Sequence, residues 1–325
     1  LVPTQQPCTV SRKTRQCLQS VQFKILNFPD FFGQQDRVQE DGKGGGERLG
    51  SAQLKAGPWR IEIDVTPNLK KCEEVLKKDG GYAITHTGTI TQADGKTFSV
   101  KDVERLMEGL RLFLSFALGA FCSLTLPTGL NRKRECVWQQ WGAHTVAPWC
   151  YTPSWFDTMN GQLLSEVFPG FWDRLNDQRW TETIRAVLYW YLRSNMHGRG
   201  AGIDGGLILT QAALERLSYM QLGYRERPAA EQIRQALISM RIKTNIPRCC
   251  RKLRALARKN GWKDGPYALT EVRNDLVHPE QRYGNTLSGS YYEAWNLGQR
   301  YVELMLLRIF RHRGLHGNRL TQKWR

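Results

Sequence analysis

Three side chains that can bind a phosphate or transfer a proton lie close together in the last quarter of the chain. They are Arg273, Asn274 and His278, within the segment LTEVRNDLVHPE at residues 269–280. A guanidinium group stays charged and can hold a phosphate through two hydrogen bonds. An imidazole can act as a general acid or a general base near neutral pH. The segment therefore has the groups needed for chemistry at a phosphate.

A single helix is expected to position these groups. Leu269, Val272 and Leu276 share one helical face, which we expect to point into the core. Asn274 and His278 are four residues apart and face the same way. Arg273 and His278 are about 140° apart on an ideal helix. Since Pro279 disfavours the helical conformation at His278, we expect the last turn to loosen and His278 to swing toward Arg273.

The pattern Arg-Asn-x-x-x-His, ahead of a final long helix, resembles the Rx4–6H motif of the HEPN superfamily. In that motif the residue after arginine is usually Asn, Asp or His, and here it is Asn274. The resemblance covers roughly residues 162–315. It implies a helical homodimer in which two motifs meet in one composite cleft. Many HEPN proteins are ribonucleases of toxin–antitoxin, CRISPR-linked or phage-defence systems, whereas others are inactive or bind nucleotides.

The resemblance implies RNA cleavage without a metal or a cofactor. RNA carries its own nucleophile, the 2′-hydroxyl, so an enzyme need only remove its proton and stabilise charge on the phosphorane. In this hypothesis His278 is the general base or acid, and Arg273 grips the phosphate. Asn274 orients His278 or donates to a phosphate oxygen. Asp275 supports these residues without touching the RNA, or is simply solvated. A 2′,3′-cyclic phosphate product follows.

Two structural alternatives remain open for this segment. His278 could cap its helix, where a cationic imidazole favours the C-terminal end of the dipole. Arg273 could pair with a carboxylate such as Glu271 of the partner subunit. A second match to the motif, from Arg311 to His316, sits in the basic tail RHRGLHGNR, which we expect to be frayed.

The net charge of +17 is concentrated in the second half of the chain. From Gly161 onward there are 27 Lys and Arg against 14 Asp and Glu, which gives +13. Such an excess favours a polyanionic partner, and solubility alone is the alternative. No acidic residue lies between Arg241 and Lys263, so a basic helix at residues 247–259 could follow a phosphate backbone or be a solvated face. The predicted RNA-binding residues are Arg248, Arg251, Lys252, Arg254 and Arg258.

The composition changes near residues 157–162, which predicts an α+β protein with two domains. Residues 1–157 are expected to form a β-rich domain that senses a trigger or restrains activity. Strands are predicted at 21–28, 59–65, 82–91, 123–126 and 135–141, with a helix at 100–121 and a hairpin turn at 93–95. Residues 158–325 are expected to form a HEPN-like bundle of about six helices.

Other motifs favour no further site. Lys43 in the Gly-rich segment 42–46 lacks the Ser or Thr and the preceding strand of a P-loop, so a flexible loop is expected over 35–51. The aromatic stretch 138–156 has no interleaved Lys or Arg and is expected to pack rather than to stack on bases. His86 and His144 are expected to be ordinary polar residues, and nothing suggests a bound metal.

The sequence also indicates the environment of the chain. None of the eight cysteines forms a CxxC pair, which favours reduced thiols in a cytoplasmic protein. The uncharged stretch 112–126 is about five residues too short to span a bilayer, so a buried helix that runs into a strand is expected, with no membrane partner.

Two functions are compatible with these features. The first is an endoribonuclease that the N-terminal domain regulates, with a role in toxicity or phage defence and an unidentified trigger or antitoxin as partner. The second is a non-catalytic HEPN module that dimerises and binds nucleic acid or nucleotides.

Overall fold

Two compact units divide the chain, and their boundary falls within a helix. The computed structural model describes residues 8–11, 17–33, 51–142, 145–196, 202–223, 226–278, 288–321 and 323–324. One unit comprises Leu1–Tyr151 with Phe156–Asp173, and the other comprises Thr152–Trp155 with Arg174–Arg325. The fold is α+β, with a β-rich first half and a helical second half, as the sequence predicted. The sequence placed the boundary at residue 157, whereas the contacts place residues 156–173 with the first unit.

A seven-stranded antiparallel sheet with the order β1-β9-β8-β3-β6-β5-β4 forms the centre of the first unit. A second, two-stranded sheet pairs β2 with β7. The elements are β1 (Cys8–Ser11), β2 (Cys17–Leu18), β3 (Ser20–Leu26), β4 (Ala52–Ala56), β5 (Trp59–Val65), α1 (Leu69–Asp79), β6 (Ile84–Gln92), β7 (Phe98–Ser99), α2 (Val100–Leu118), β8 (Leu124–Leu130) and β9 (Cys136–Trp141).

The strands and α2 form where local sequence and burial agree. In β5, Ile61 and Ile63 are completely buried while Glu62 between them is not, as alternation requires. Helix α2 begins at a capping box, in which Ser99 and Asp102 each accept a hydrogen bond from the other's backbone N–H. It ends at Gly119, whose φ of 74° favours glycine. The predicted buried helix followed by a strand at 112–126 is confirmed.

Some elements of the first half differ from the prediction. The turn near Gly95 forms, but the strand after it, β7, pairs with β2 rather than with β6, so the predicted hairpin is wrong. Strand β4 and helix α1 were not predicted, because β4 is short and α1 is rich in charged residues and buries only Leu69 and Leu76. The predicted loop at 35–51 falls outside the described residues except for Ser51, and His144 also falls outside them.

An aromatic cluster encloses His86 in the core of the first unit. The His86 ring stacks on Phe31 at 5.5 Å and meets the edge of Phe28 at 5.7 Å. His86 is completely buried, and its Nδ1 lies 3.1 Å from the Thr85 hydroxyl. Burial lowers the pKa of His86 to about 3. His86 is therefore a neutral core residue rather than an ordinary polar one.

The aromatic stretch 138–156 is only partly buried. Trp138, Trp155 and Phe156 lie in cores, which agrees with the packing prediction. Trp141 and Tyr151 are instead exposed, with 53% and 77% of their surface accessible. Hence packing accounts for Trp138, Trp155 and Phe156 but not for Trp141 and Tyr151, and Trp149 is half-buried.

The second half of the chain is helical, and α4–α9 of the second unit pack side by side. The sequence missed α3, most of which belongs to the first unit, although its apolar residues recur at helical spacing. The elements of this half are α3 (Gln162–Asn176), α4 (Thr181–Asn195), α5 (Gly202–Leu222), α6 (Ala229–Ser239), α7 (Arg251–Lys259), α8 (Gly265–Val277), α9 (Ser288–Ile309), β10 (Gly317–Asn318) and β11 (Lys323–Trp324). Helix α5 packs on α4, α6, α8 and α9, and α9 also packs on α7 and α8. None of the described helices is long and apolar enough to cross a membrane.

A buried ion pair holds the C-terminal segment in the second unit. Arg319 and Glu303 have fully buried side chains, and Nη1 of Arg319 lies 3.0 Å from Oε1 of Glu303. Tyr191 of α4 donates to the same oxygen at 2.9 Å, and Arg319 also donates to Oδ1 of Asn195. Burial beside Glu303 raises the pKa of Tyr191 well above its ordinary value, so the phenol stays protonated as a donor. One ion pair thus joins α4, α9 and the segment after α9.

The C-terminal segment around Arg311 and His316 is therefore not frayed, and that expectation is wrong. His312 and Gly317 are buried, and the Gly317 backbone N–H donates to the Trp155 carbonyl at 2.6 Å. The imidazole of His316 lies 3.0 Å from the Gly314 carbonyl. Burial, together with nearby cations such as Arg300, lowers the pKa of His316 to about 4. The order of this segment could not be read from its composition, because it comes from the buried contacts of Arg319.

We predict that His86 makes the first unit acid-sensitive. The unfolded chain binds a proton at His86 below about pH 6.5, whereas the folded chain does so only near pH 3. The stabilising contribution of the neutral ring is thus present above pH 6.5 and is lost as the pH falls toward 3, by up to about 1.4 kcal/mol per pH unit. Calorimetry of the wild type and of His86→Leu across this range measures the difference. A wild type and a variant with parallel pH profiles would contradict the assignment.

We also predict that Arg319→Ala destabilises the second unit by about 3 kcal/mol, since the buried Glu303 carboxylate then keeps only Arg300 as a cationic partner, at 3.7 Å. Hydrogen exchange of the α9 amides reports the loss for this unit alone. Arg313→Ala is the matched control because Arg313 is exposed on the same segment. Equal exchange rates in Arg319→Ala and in the control would show that the ion pair does not hold the segment.

Candidate functional site

Helix α8 is fixed at its start by contacts to the helices around it. Asp264 caps the helix by accepting from the Tyr267 N–H, and its other oxygen lies 2.9 Å from Nε of Arg234 on α6. The Gly265 N–H donates to the Thr244 carbonyl at 2.7 Å. A Cβ at Gly265 would collide with the hydroxyl of Tyr301 on α9, so only glycine allows this approach. These contacts set the direction in which α8 carries the candidate residues.

Helix α8 ends where the sequence predicted. Its last residue is Val277, and His278 has extended backbone angles, with φ of −104° and ψ of 123°. The His278 N–H still donates to the Asn274 carbonyl at 2.9 Å. Leu269 and Val272 are completely buried on the core face. Leu276, the third residue of the predicted stripe, is only half-buried. His278 thus lies at the exposed end of a well-anchored helix.

Arg273 and Asn274 are brought together, but the His278 ring is not joined to them. Nη1 of Arg273 donates to Oδ1 of Asn274 at 3.2 Å. Nε of Arg273 is buried without a hydrogen-bond partner. Between the described residues no ion pair involves Arg273, and no hydrogen bond links the exposed His278 ring to Arg273 or Asn274. Within one chain, therefore, no described hydrogen bond joins His278 to the other two predicted site residues.

Asp275 is used to fasten the end of α8 to α9. The Tyr291 hydroxyl donates to Oδ2 of Asp275 at 3.2 Å, and Oδ1 is buried without a partner. Burial, and then the Asp275 carboxylate, raise the pKa of Tyr291. The sequence offered Asp275 as a supporting residue of the site or as a solvated one, whereas in the structure its described hydrogen bond goes to Tyr291. Asp275 therefore positions the helix that carries Arg273 and His278.

The basic segment before α8 presents its cations to solvent. Helix α7 is shorter than predicted, since 247–250 form turns, and it buries Leu253, Leu256 and Ala257. Oε2 of Glu293 on α9 accepts from the Leu253 N–H at 2.8 Å and so fixes the start of α7. In the described part of the chain, no ion pair involves the five predicted RNA-binding residues, of which four are exposed and one is half-buried: Arg248, Arg251, Lys252, Arg258 and, half-buried, Arg254.

An open cleft of about 520 Å³ adjoins this helix. Two of the predicted RNA-binding residues, Arg254 and Arg258, line it together with Lys263, Arg234 and Trp262. The sequence missed the last three because they lie on α6 and in the α7–α8 connection, and only the fold brings them to α7. Among the described residues, no group of three His, Cys, Asp or Glu side chains is arranged to hold a metal ion.

Both halves of the chain are similar to domains of a named family. Residues 13–152 match the model described as the YopA central domain, and residues 177–325 match that of the YopA C-terminal domain. Over 313 residues the chain is 28% identical to a Bacillus subtilis (strain 168) protein described as SPbeta prophage-derived uncharacterized protein YopA. That alignment covers 92% of this chain and 68% of the relative. No solved structure matches the chain.

We predict that Tyr291→Phe loosens the end of α8. The substitution removes the described hydrogen bond of Asp275 and leaves this half-buried carboxylate with neither oxygen paired among the described residues, at a cost of about 1–3 kcal/mol. Amides in the last turn of α8 should then exchange faster, which mass spectrometry measures. Tyr292→Phe is the control, because it removes a hydroxyl from the neighbouring residue of α9 and leaves the hydrogen bond from Tyr291 to Asp275 in place. Equal exchange in both variants would mean that this hydrogen bond does not hold the helix end.

Proposed function

We propose that the helical half is a HEPN-type, metal-independent endoribonuclease with Arg273, Asn274 and His278 at its active site. The observation that carries the proposal is the arrangement at the end of α8. There a half-buried guanidinium is held by an amide rather than by a carboxylate, one turn before an exposed imidazole. An anion is the missing partner of such a guanidinium, and a phosphodiester supplies one.

The cleavage step uses the hydroxyl that RNA carries beside each phosphate. His278 takes the proton of the 2′-hydroxyl, and the oxygen attacks the adjacent phosphorus. Arg273 binds the non-bridging oxygens, where negative charge accumulates. The bond from phosphorus to the 5′-oxygen then breaks, and that oxygen takes a proton from a protonated imidazole or from water. The products are a 2′,3′-cyclic phosphate and a free 5′-hydroxyl.

A homodimer would supply the link between an arginine and an imidazole that hydrogen bonds within one chain do not make among the described residues. A second copy that meets the first at the ends of α8 would bring two guanidinium groups and two imidazoles to one cleft. In this proposal, an imidazole of each subunit serves one of the two proton transfers. The N-terminal half regulates access to that cleft. The relative described as prophage-derived fits a role in toxicity or phage defence, with an unidentified antitoxin or trigger as partner.

A non-catalytic module is the second candidate. The observation that favours it is the absence of a hydrogen bond between the His278 ring and Arg273 in the described structure. In that case the helical half dimerises and binds RNA or a nucleotide through Arg273 and the cations of α7, and the first half recognises another molecule. The two candidates differ in whether RNA is cut.

We predict that the full chain cleaves end-labelled single-stranded RNA in EDTA. His278→Ala should lower the rate by about 10²-fold or more, the usual contribution of a general acid or base. Arg273→Gln should lower it by a similar factor, because the phosphorane loses its charged ligand. Gel analysis and treatment with a phosphatase that opens cyclic phosphates identify the ends of the product.

Arg311→Gln and His316→Gln are the matched controls, since they remove the same residue types from the second Arg-to-His match. Both should retain the wild-type rate. Cleavage that is unaffected by His278→Ala, or that stops in EDTA, would refute the proposed mechanism. Binding of RNA without cleavage, at protein concentrations where light scattering shows a dimer, would support the non-catalytic module.

A further inference from the structure

We infer that the cleft between α6, α7 and the start of α8 is a second site, which anchors single-stranded RNA by one phosphate and one stacked base. The inference rests on the proposal that RNA is the partner of the helical half, and it adds a location apart from the cleavage site. Asp264, at the cleft, precedes α8, and His278 follows it. At 1.5 Å per residue the two ends of this helix are about 20 Å apart.

The charge of the cleft favours an anion. Four cations line it, Arg234, Arg254, Arg258 and Lys263, against one carboxylate, Asp264, which leaves +3. Asp264 is committed to Arg234, at 2.9 Å, and to the N–H at the start of α8. Like charges that converge in a concave surface repel one another, and a bound anion relieves that repulsion.

Two of these cations are available to a ligand. Arg254 and Arg258 are four residues apart, so they lie on the same face of α7. In the described part of the chain neither forms an ion pair, and Arg254 is half-buried. Lys263 is less available, because its Nζ lies 3.8 Å from Glu231 and 5.7 Å from the centre of the Tyr267 ring. Arg254 and Arg258 are therefore assigned to the phosphate.

Trp262 and its surroundings make a nucleotide a better ligand than a bare phosphate. Trp262 is half-buried in the wall of the cleft, and its backbone N–H is fixed by the Ala257 carbonyl at 2.9 Å. Gly261 before it has a φ of 68°, which favours glycine and turns the chain at this point. An indole held beside two arginines can stack on a base while the arginines hold its phosphate. A paired duplex keeps its bases inside, so a single strand is the matching partner.

The test measures binding of a short fluorescent single-stranded RNA by the full chain in EDTA. Every protein tested carries His278→Ala, so that the RNA stays intact. Arg254→Gln/Arg258→Gln should weaken binding about tenfold. The slope of log affinity against log salt should become shallower by about 0.7, because one phosphate contact is lost from a single strand. Trp262→Leu should weaken binding about fivefold, whereas Trp262→Phe, which keeps an aromatic face, should stay within about twofold.

Arg311→Gln/Arg313→Gln is the matched control, since it removes the same charge from exposed positions outside the cleft. An equal loss of affinity in the control would overturn the site and assign binding to the overall charge. Equal affinity for duplex RNA, or no effect of Trp262→Leu, would overturn the stacked base. Failure to bind single-stranded RNA at all would overturn the inference.

The cleft and the cleavage site can fail separately. If the chain with His278 intact binds RNA through the cleft but does not cut it, the proposed nuclease falls and the cleft stands. If RNA is cut and Arg254→Gln/Arg258→Gln leaves both KM and kcat unchanged, the cleft falls and the nuclease stands. A raised KM at unchanged kcat supports both, because the cleft then binds substrate without taking part in the chemistry.

Discussion

The fully buried ion pair between Arg319 and Glu303 is the constraint from which the second unit is arranged. Each charge alone would be costly to bury, and together they are tolerated because Tyr191 donates to Glu303, Asn195 accepts from Arg319, and Arg300 lies 3.7 Å from the second oxygen of Glu303. Arg319 reaches α9 from beyond the helix, and Tyr191 reaches it from α4. The position of α9 is thereby fixed from both sides, and α9 in turn determines where the functional elements lie.

Helix α9 transmits this constraint through three polar or close contacts. Glu293 caps the start of α7, Tyr291 holds the end of α8, and Tyr301 meets Gly265 at the beginning of α8. The basic helix and the candidate catalytic helix are therefore both attached to one buried helix. Pre-organisation of this kind lowers the cost of holding cations near one another before a ligand arrives.

The carboxylates and the cations of the second unit are used differently. Glu303, Asp264, Glu293 and Asp275 all accept hydrogen bonds from other parts of the same unit. The cations of α7 lack carboxylate partners among the described residues. This separation, more than the total charge, makes one surface of the unit basic, and it could not be deduced from the counts of charged residues alone.

The sequence predicted those features that depend on local pattern. Alternation identified β5, helical spacing identified α4, and Pro279 correctly placed the end of α8 before it. What the sequence did not predict depends on contacts between distant residues. The pairing of β7 with β2, the ordered segment around Arg319 and the cleft that joins Arg234 to α7 all require the tertiary fold. The sequence correctly placed Asp275 on α8. It could not identify the hydrogen-bond partner of Asp275, because Tyr291 lies 16 residues away on α9.

The end of α8 also explains why one chain does not complete the proposed active site. His278 has an extended rather than a helical backbone, while the Asn274 side chain accepts a hydrogen bond from Arg273. A helix that continued through His278 would instead place the imidazole above Asn274, one turn farther along the same face. Because the helix stops, His278 lies at an exposed, extended position just beyond α8. Within the proposed mechanism such a group serves best when a second copy, or the bound RNA itself, lies against the end of α8.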